Sequence, residues 1–169
     1  IICDIGGGST ELILANSKDT RALTSSRIGA VRLKNDFFQD EPLTNSRLDF
    51  IKTFIQGSLE PSIGKIKRRL DKNESISMIA TSGTAIALGN LISSDLGEPK
   101  QKMHGYKFEK SNLEDLLSKL IKLTPFDLRK IPSLSERRSE IIIPGGLILN
   151  TSMEMLNISE LTISERALR

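Results

Sequence analysis

Asp4, Ser9, Thr10 and Glu11 flank three consecutive glycines, Gly6, Gly7 and Gly8, and residues of these types at this spacing can hold a phosphate group. Glycines lack a Cβ and accept positive φ angles, so successive N–H groups can close around an anion. Asp4 offers hard oxygen ligands to a divalent cation, and Glu11 adds a second carboxylate within reach. Ser9 and Thr10 contribute hydroxyl donors. A glycine-rich hairpin can also be a plain tight turn. The acidic residue on one flank and the Ser-Thr-Glu run on the other weigh towards a site. The stretch is not a Walker A loop, which needs Lys-Ser/Thr and then a helix, nor a dinucleotide fingerprint, because the apolar Leu12-Ile13-Leu14 follows as a strand.

A second candidate lies at Ser82, Gly83 and Thr84, after the apolar run holding Ile76, Met78 and Ile79 and before a helical pattern from Ala85 to Ile92. The first N–H groups of a helix have no internal partner, and the helix dipole favours negative charge there. Ser82 or Thr84 acting only as a cap is the competing reading. Arg137 and Arg138 could neutralise an anion, or pair with Glu136 or Glu140. His104 is the sole histidine and Cys3 the sole cysteine, so neither a zinc set nor a Cys-His or Ser-His-Asp arrangement can be assembled.

These residues must be positioned by an alternation of strands and helices. Ile1–Ile5 and the run from Leu12 read as a hairpin, with a third strand around Ala22-Leu23-Thr24. Leu48, Ile51, Ile55, Leu59, Ile63, Ile66 and Leu70 recur at steps of three and four, which predicts one long helix over 45–70, kinked or restarted at Pro61. Lys65, Lys67, Arg68, Arg69 and Lys72 gather at its end, where cations suit the helix dipole. Residues 75–80 read as a buried strand, and Gly97 to Tyr106, with Lys100 and His104, as a surface loop. Ser111-Asn112-Leu113-Glu114 reads as a capping box opening a helix that ends at Pro125, followed by a short helix over 126–131 and a cap at 133–136. Pro144-Gly145-Gly146 interrupts the apolar run 141–149, which propensity alone would break. Glu160–Ile163 closes as a strand. Helices are expected on both faces of the sheet.

At 169 residues the chain suits one domain. Its 38% hydrophobic and 27% charged content is that of an ordinary globular chain, and no apolar run approaches the ~20 residues of a membrane span. The net charge of +3 is compatible with an anionic substrate, although solvated surface is the preferred explanation of so mild an excess. One tyrosine and no tryptophan leave no stacking platform for nucleic-acid bases. A lone cysteine in an apolar strand reads as an inert core thiol in a reducing, cytoplasmic compartment. The opening on a strand and the ending at Arg169 suggest a piece of a longer protein.

Asp4 to Leu12, DIGGGSTEL, resembles the second phosphate-binding motif of the exopolyphosphatase/guanosine pentaphosphate phosphatase (Ppx/GppA) family, within the actin, Hsp70 and sugar-kinase superfamily. Ala80 to Ala85 resembles its second glycine turn, and Arg137 to Glu140 running into Pro144 to Leu149, then Leu161 to Arg169, resembles its closing helix and strand. The resemblance implies an α/β, ribonuclease H-like mixed sheet flanked by helices, with the run from 141 continuing as a helix to about Leu156. It also implies that residues 1–169 are the second half of a two-domain module. It implies further that Gly6, Gly7, Gly8, Ser9, Thr10, Ser82, Gly83, Thr84 and Arg138 hold phosphate, that Asp4 and Glu11 hold Mg²⁺, and that Glu11 orients water. The general base is then expected in the missing N-terminal half, so the chain alone is expected to hydrolyse little. Polyphosphate or guanosine pentaphosphate is the implied substrate, and the intact protein is a candidate homodimer. A small-molecule kinase and a non-hydrolysing nucleotide sensor are the alternatives.

Overall fold

The computed structural model describes residues 1–38, 43–99 and 101–166; Lys100 of the expected loop and Ala167, Leu168 and Arg169 of the closing run lie outside these. In chain order the elements are β1 (Ile2–Ile5), β2 (Thr10–Ala15), β3 (Thr20–Ser26), α1 (Ala30–Phe37), α2 (Asn45–Lys67), β4 (Met78–Thr81), α3 (Gly83–Asp95), β5 (Lys107–Glu109), α4 (Lys110–Leu120), α5 (Pro125–Arg129), α6 (Glu136–Ser139), α7 (Ile142–Met155) and β6 (Glu160–Ile163). The strands form one mixed sheet in the order β3-β2-β1-β4-β6-β5. β1, β2 and β3 pair antiparallel, and β1 pairs β4 and β4 pairs β6 in parallel. The β2–β3 turn is fixed by Asn16, whose Oδ1 accepts from the amides of Lys18 and Asp19 at 2.8 and 2.9 Å.

Alternation decides what each strand buries. Cys3, Ile5, Leu12, Leu14, Ala22, Met78, Ala80, Phe108, Leu161 and Ile163 face the helices and are buried. The other face carries Leu23, Ile13, Ile2 and Ile79, which are register partners across four neighbouring strands. Leu23 is 62% and Ile79 41% exposed, so among the described residues the helices cover one face of the sheet and not both. Ile79 thus leaves the buried set that the apolar run suggested. The short edge strand β5 is an addition to the expected order, in the gap between the expected loop and the expected helix.

The core sits between the covered face and the helices. α2 contributes Ile51, Ile55, Leu59, Ile63 and Ile66, each fully buried and each stabilising by about 1.5–3 kcal/mol. Pro61 neither ends nor restarts this helix. It is exposed, and its missing donor faces Gly57 on the same solvent side, where water can take the carbonyl. α7 is the central helix, with Ile142 through Met153 all buried. Pro144 is tolerated because it falls in the first turn, where N–H groups have no intrahelical acceptor; Gly145 N then donates to Ile141 O at 2.9 Å. The capping box of α4 stands two residues earlier than the sequence suggests: Glu109 N donates to Asn112 Oδ1 at 3.0 Å, which places Ser111 inside the helix.

Candidate functional site

Both turns open at one end of the sheet because β1 and β4 are parallel neighbours, with Asp4 level with Thr81. Each chain therefore leaves its strand beside the other. In the first turn Gly6 N donates to Ser9 O at 2.9 Å, while the amides of Gly7 and Gly8 are exposed and without a partner among the described residues. The carbonyls point the other way. Gly6 O accepts from Ala30 N at 2.9 Å, and Gly7 O accepts from the amides of Val31 and Arg32, both at 3.0 Å. The start of α1 thus satisfies its own orphan donors on the turn and holds it from behind.

Asp4 and Glu11 are register partners on adjacent strands and share the uncovered face. Glu11 Oε1 accepts from Ser9 Oγ at 2.7 Å and from Ser25 Oγ at 2.8 Å. Its Oε2 is buried and has no hydrogen-bond partner among the described residues. Two like charges opposite each other repel, so the arrangement suits a cation between them. Burial, and then the charges of Asp4 and Glu11, push the thiol of Cys3, on the covered face of β1, up to about 12. Among the described residues no group of three or more His, Cys, Asp or Glu could hold a metal. Mg²⁺ does not need one, since it is commonly held by one or two carboxylates plus water and phosphate oxygens. The orphaned Oε2 beside Asp4 fits that ion.

Thr10 turns its hydroxyl away from the glycine turn. It is fully buried, and its Oγ1 donates to Ile28 O at 2.6 Å, which ties β2 to the chain entering α1. Ser9 spends its hydroxyl donor on Glu11. In the second turn Ser82 is the N-cap of α3, its Oγ accepting from Ala85 N at 3.4 Å. Its φ of 100° and ψ of 158° lie in a region nearly confined to glycine, and strain of this kind concentrates at binding sites. Gly83 gives Arg138 room: a Cβ on Gly83 would lie 2.9 Å from Arg138 Nη2. Thr84 is buried against α7, leaving only its backbone for a ligand.

Arg138 is exposed and forms no ion pair among the described residues. Glu140, the partner weighed for it, bridges Lys34 at 3.2 Å and Arg129 at 3.7 Å instead. His104 stands apart, accepting from Glu165 N at 3.3 Å. Ser25 and Gly29 carry no signal of their own in the sequence. The tight β2–β3 turn fixes a register that puts Ser25 opposite Glu11, and only the close approach of α1 to the turn reveals Gly29.

A mixed sheet of this order, with paired glycine turns at the ends of its central parallel strands, is the actin-like ATPase fold. It overlays an exopolyphosphatase structure from Cytophaga hutchinsonii with a TM-score of 0.86 at 21% identity, covering 99% of this chain and 53% of that one. A PPX-GPPA enzyme of Aquifex aeolicus overlays with a TM-score of 0.84 at 22% identity, over 99% of this chain and 54% of that one. The chain belongs to the Ppx/GppA phosphatase family, whose model matches residues 1–169. Among curated relatives, Exopolyphosphatase 1 of Mycobacterium tuberculosis is 27% identical over 98% of this chain and 47% of its own length. A guanosine-5'-triphosphate,3'-diphosphate pyrophosphatase of Photobacterium profundum is 29% identical over all of this chain and 32% of its own length. The chain therefore spans about half or less of the relatives it matches.

Proposed function

We propose that the full-length protein hydrolyses terminal phosphoanhydride bonds of inorganic polyphosphate, guanosine pentaphosphate or both, and that this chain supplies one half of the site. The observation that carries the reading is Glu11, with one oxygen pinned by two serines and the other unpartnered among the described residues, opposite Asp4 on the strands that the Gly7–Gly8 turn joins. A polyphosphate end group carries several charges, so its cleavage needs positioning and neutralisation more than covalent chemistry. The amides of Gly7, Gly8 and Ser9 bind phosphate oxygens, and the N–H groups of Gly83 and Thr84 line the facing side. Arg138 neutralises charge across Gly83. Asp4 and Glu11 would hold Mg²⁺, which would supply charge compensation for the phosphate oxygens, and Glu11 is placed to orient the attacking water. The general base comes from the other half of the protein. A cytoplasmic location accords with the unpaired Cys3.

Phosphate release by the full-length protein with Mg²⁺, from long polyphosphate and guanosine pentaphosphate in parallel, tests this. Release from either is expected, with the ratio naming the preferred substrate, and Glu11→Gln is expected to lower kcat roughly hundredfold or more. Residues 1–169 alone are expected to release little. A folded protein that releases phosphate from neither substrate sinks the reading, and unchanged turnover in Glu11→Gln removes Glu11 from it.

A further inference from the structure

The first glycine turn is held from behind by the start of α1 and the second opens α3, and one residue outside both turns stands between those helices. Gly145, in the first turn of α7, is buried between Ala30, the first residue of α1, and Thr84, near the start of α3. A Cβ built on Gly145 would lie 3.5 Å from Ala30 Cβ, an ordinary contact, and 2.4 Å from Thr84 Cγ2, far inside van der Waals distance. Its position therefore calls for glycine on one side only, the side of α3.

Each neighbour leads directly into a turn. Ala30 N is bonded to Gly6 O at 2.9 Å, so what presses on Ala30 presses on the first glycine turn. Thr84 follows Gly83, against which Arg138 lies, so what displaces Thr84 shifts the second turn relative to Arg138. Thr84 is β-branched and buried, and a side chain of that kind has little freedom about χ1. An overlap at Gly145 is relieved by moving the start of α3.

We propose that Gly145 is a positioning residue that sets the separation of the two turns, and with it the gap that a bound phosphate chain must bridge. This rests on the phosphoanhydride reading above. It assigns Gly145 a role through packing and gives it no contact with substrate. Asp4 and Glu11 stand on β1 and β2, whose pairing the change leaves intact, so the effect falls on binding more than on turnover.

The test is a cycle of Gly145→Ala, Thr84→Ser and the double variant in the full-length protein, assayed for phosphate release with polyphosphate and Mg²⁺. Gly145→Ala is expected to raise KM about tenfold, the scale of a sub-ångström misplacement, with kcat within about threefold. Thr84→Ser removes Cγ2, the atom that is overlapped. In its background, Gly145→Ala is expected to leave KM within about twofold of Thr84→Ser alone. A role confined to stability lowers the melting temperature or the active fraction and leaves KM in place, and that result overturns the proposal. So does a KM rise that persists in the Thr84→Ser background. If Gly145→Ala alone does not fold, recovery of folding and of the Thr84→Ser KM in the double variant upholds the proposal, and a double variant that stays unfolded overturns it. Absence of turnover in the wild type removes the functional reading and this inference together, whereas wild-type turnover with an unaltered Gly145→Ala removes this inference alone.

Discussion

At Gly29 the missing side chain is a matter of contact and not of conformation. Its φ of −144° and ψ of 168° suit any residue, yet a Cβ there would lie 2.6 Å from the carbonyl of Gly7 and the amide of Gly8. Gly29, Gly83 and Gly145 thus share one purpose, the close approach of another group, and none of this can be read from a single sequence. The chemistry-bearing types were legible: Asp4, Gly7, Gly8 and Glu11 announce themselves by spacing. Their partners were not, because the direction of a hydroxyl depends on register and burial; Thr10 reads as a donor to phosphate and turns instead into the core. Cys3 offers a prediction at this scale. Its thiol is pushed from an ordinary 9.0 up to about 12, chiefly by burial, so the folded state keeps the proton longer than the unfolded one. A raised folded value stabilises fully below the unfolded value and loses that contribution as pH climbs. Unfolding free energy is therefore expected to fall between about pH 9 and 12, and Cys3→Ala to flatten that slope in urea titrations. A slope unchanged by the substitution would assign it to other groups.

Helices were more legible than their ends. The stripe from Leu48 to Ile66 is written by spacing alone, since steps of three and four fix one face whatever surrounds it. Propensity alone over-reads Pro144, and the restart expected at Pro61 does not occur. In both helices its cost depends on whether the lost donor had an acceptor to lose, and sequence does not say which side of the helix is wet. Pro61 lies on the exposed side of α2, four residues after the exposed Gly57. Pro61→Ala restores a donor to that carbonyl and is expected to stabilise the chain by about 1–3 kcal/mol, measured as a higher urea midpoint at constant m. Pro144→Ala has no such bond to recover in the first turn of α7. The shifted cap of α4 has the same origin: Glu109 and Asn112 form the box because β5 runs straight into the helix, and β5 exists only as a partner of β6.

For the whole molecule, the uncovered sheet face is the feature that apolar content concealed. Ile2, Ile13, Leu23 and Ile79 are as hydrophobic as the buried set, and strands apolar on both sides read as a sheet covered twice. The 169-residue chain is expected to bind a hydrophobic dye such as ANS at this row, with Leu23→Lys lowering the fluorescence; equal signal from both would place the dye elsewhere. No helix among the described residues is long and apolar enough to cross a membrane. The parallel pairing of β1 with β4 has one more effect, on order in time. The β1–β2–β3 meander closes through short turns, but Asp4 meets Thr81 only after the whole of α1 and α2 has been looped out between them. Closing so long a loop is slow compared with closing a hairpin. During refolding the carboxylate pair thus forms early and the second turn arrives late, so under the proposed function affinity for phosphate is the last property the chain would acquire, a clock for completion of the fold.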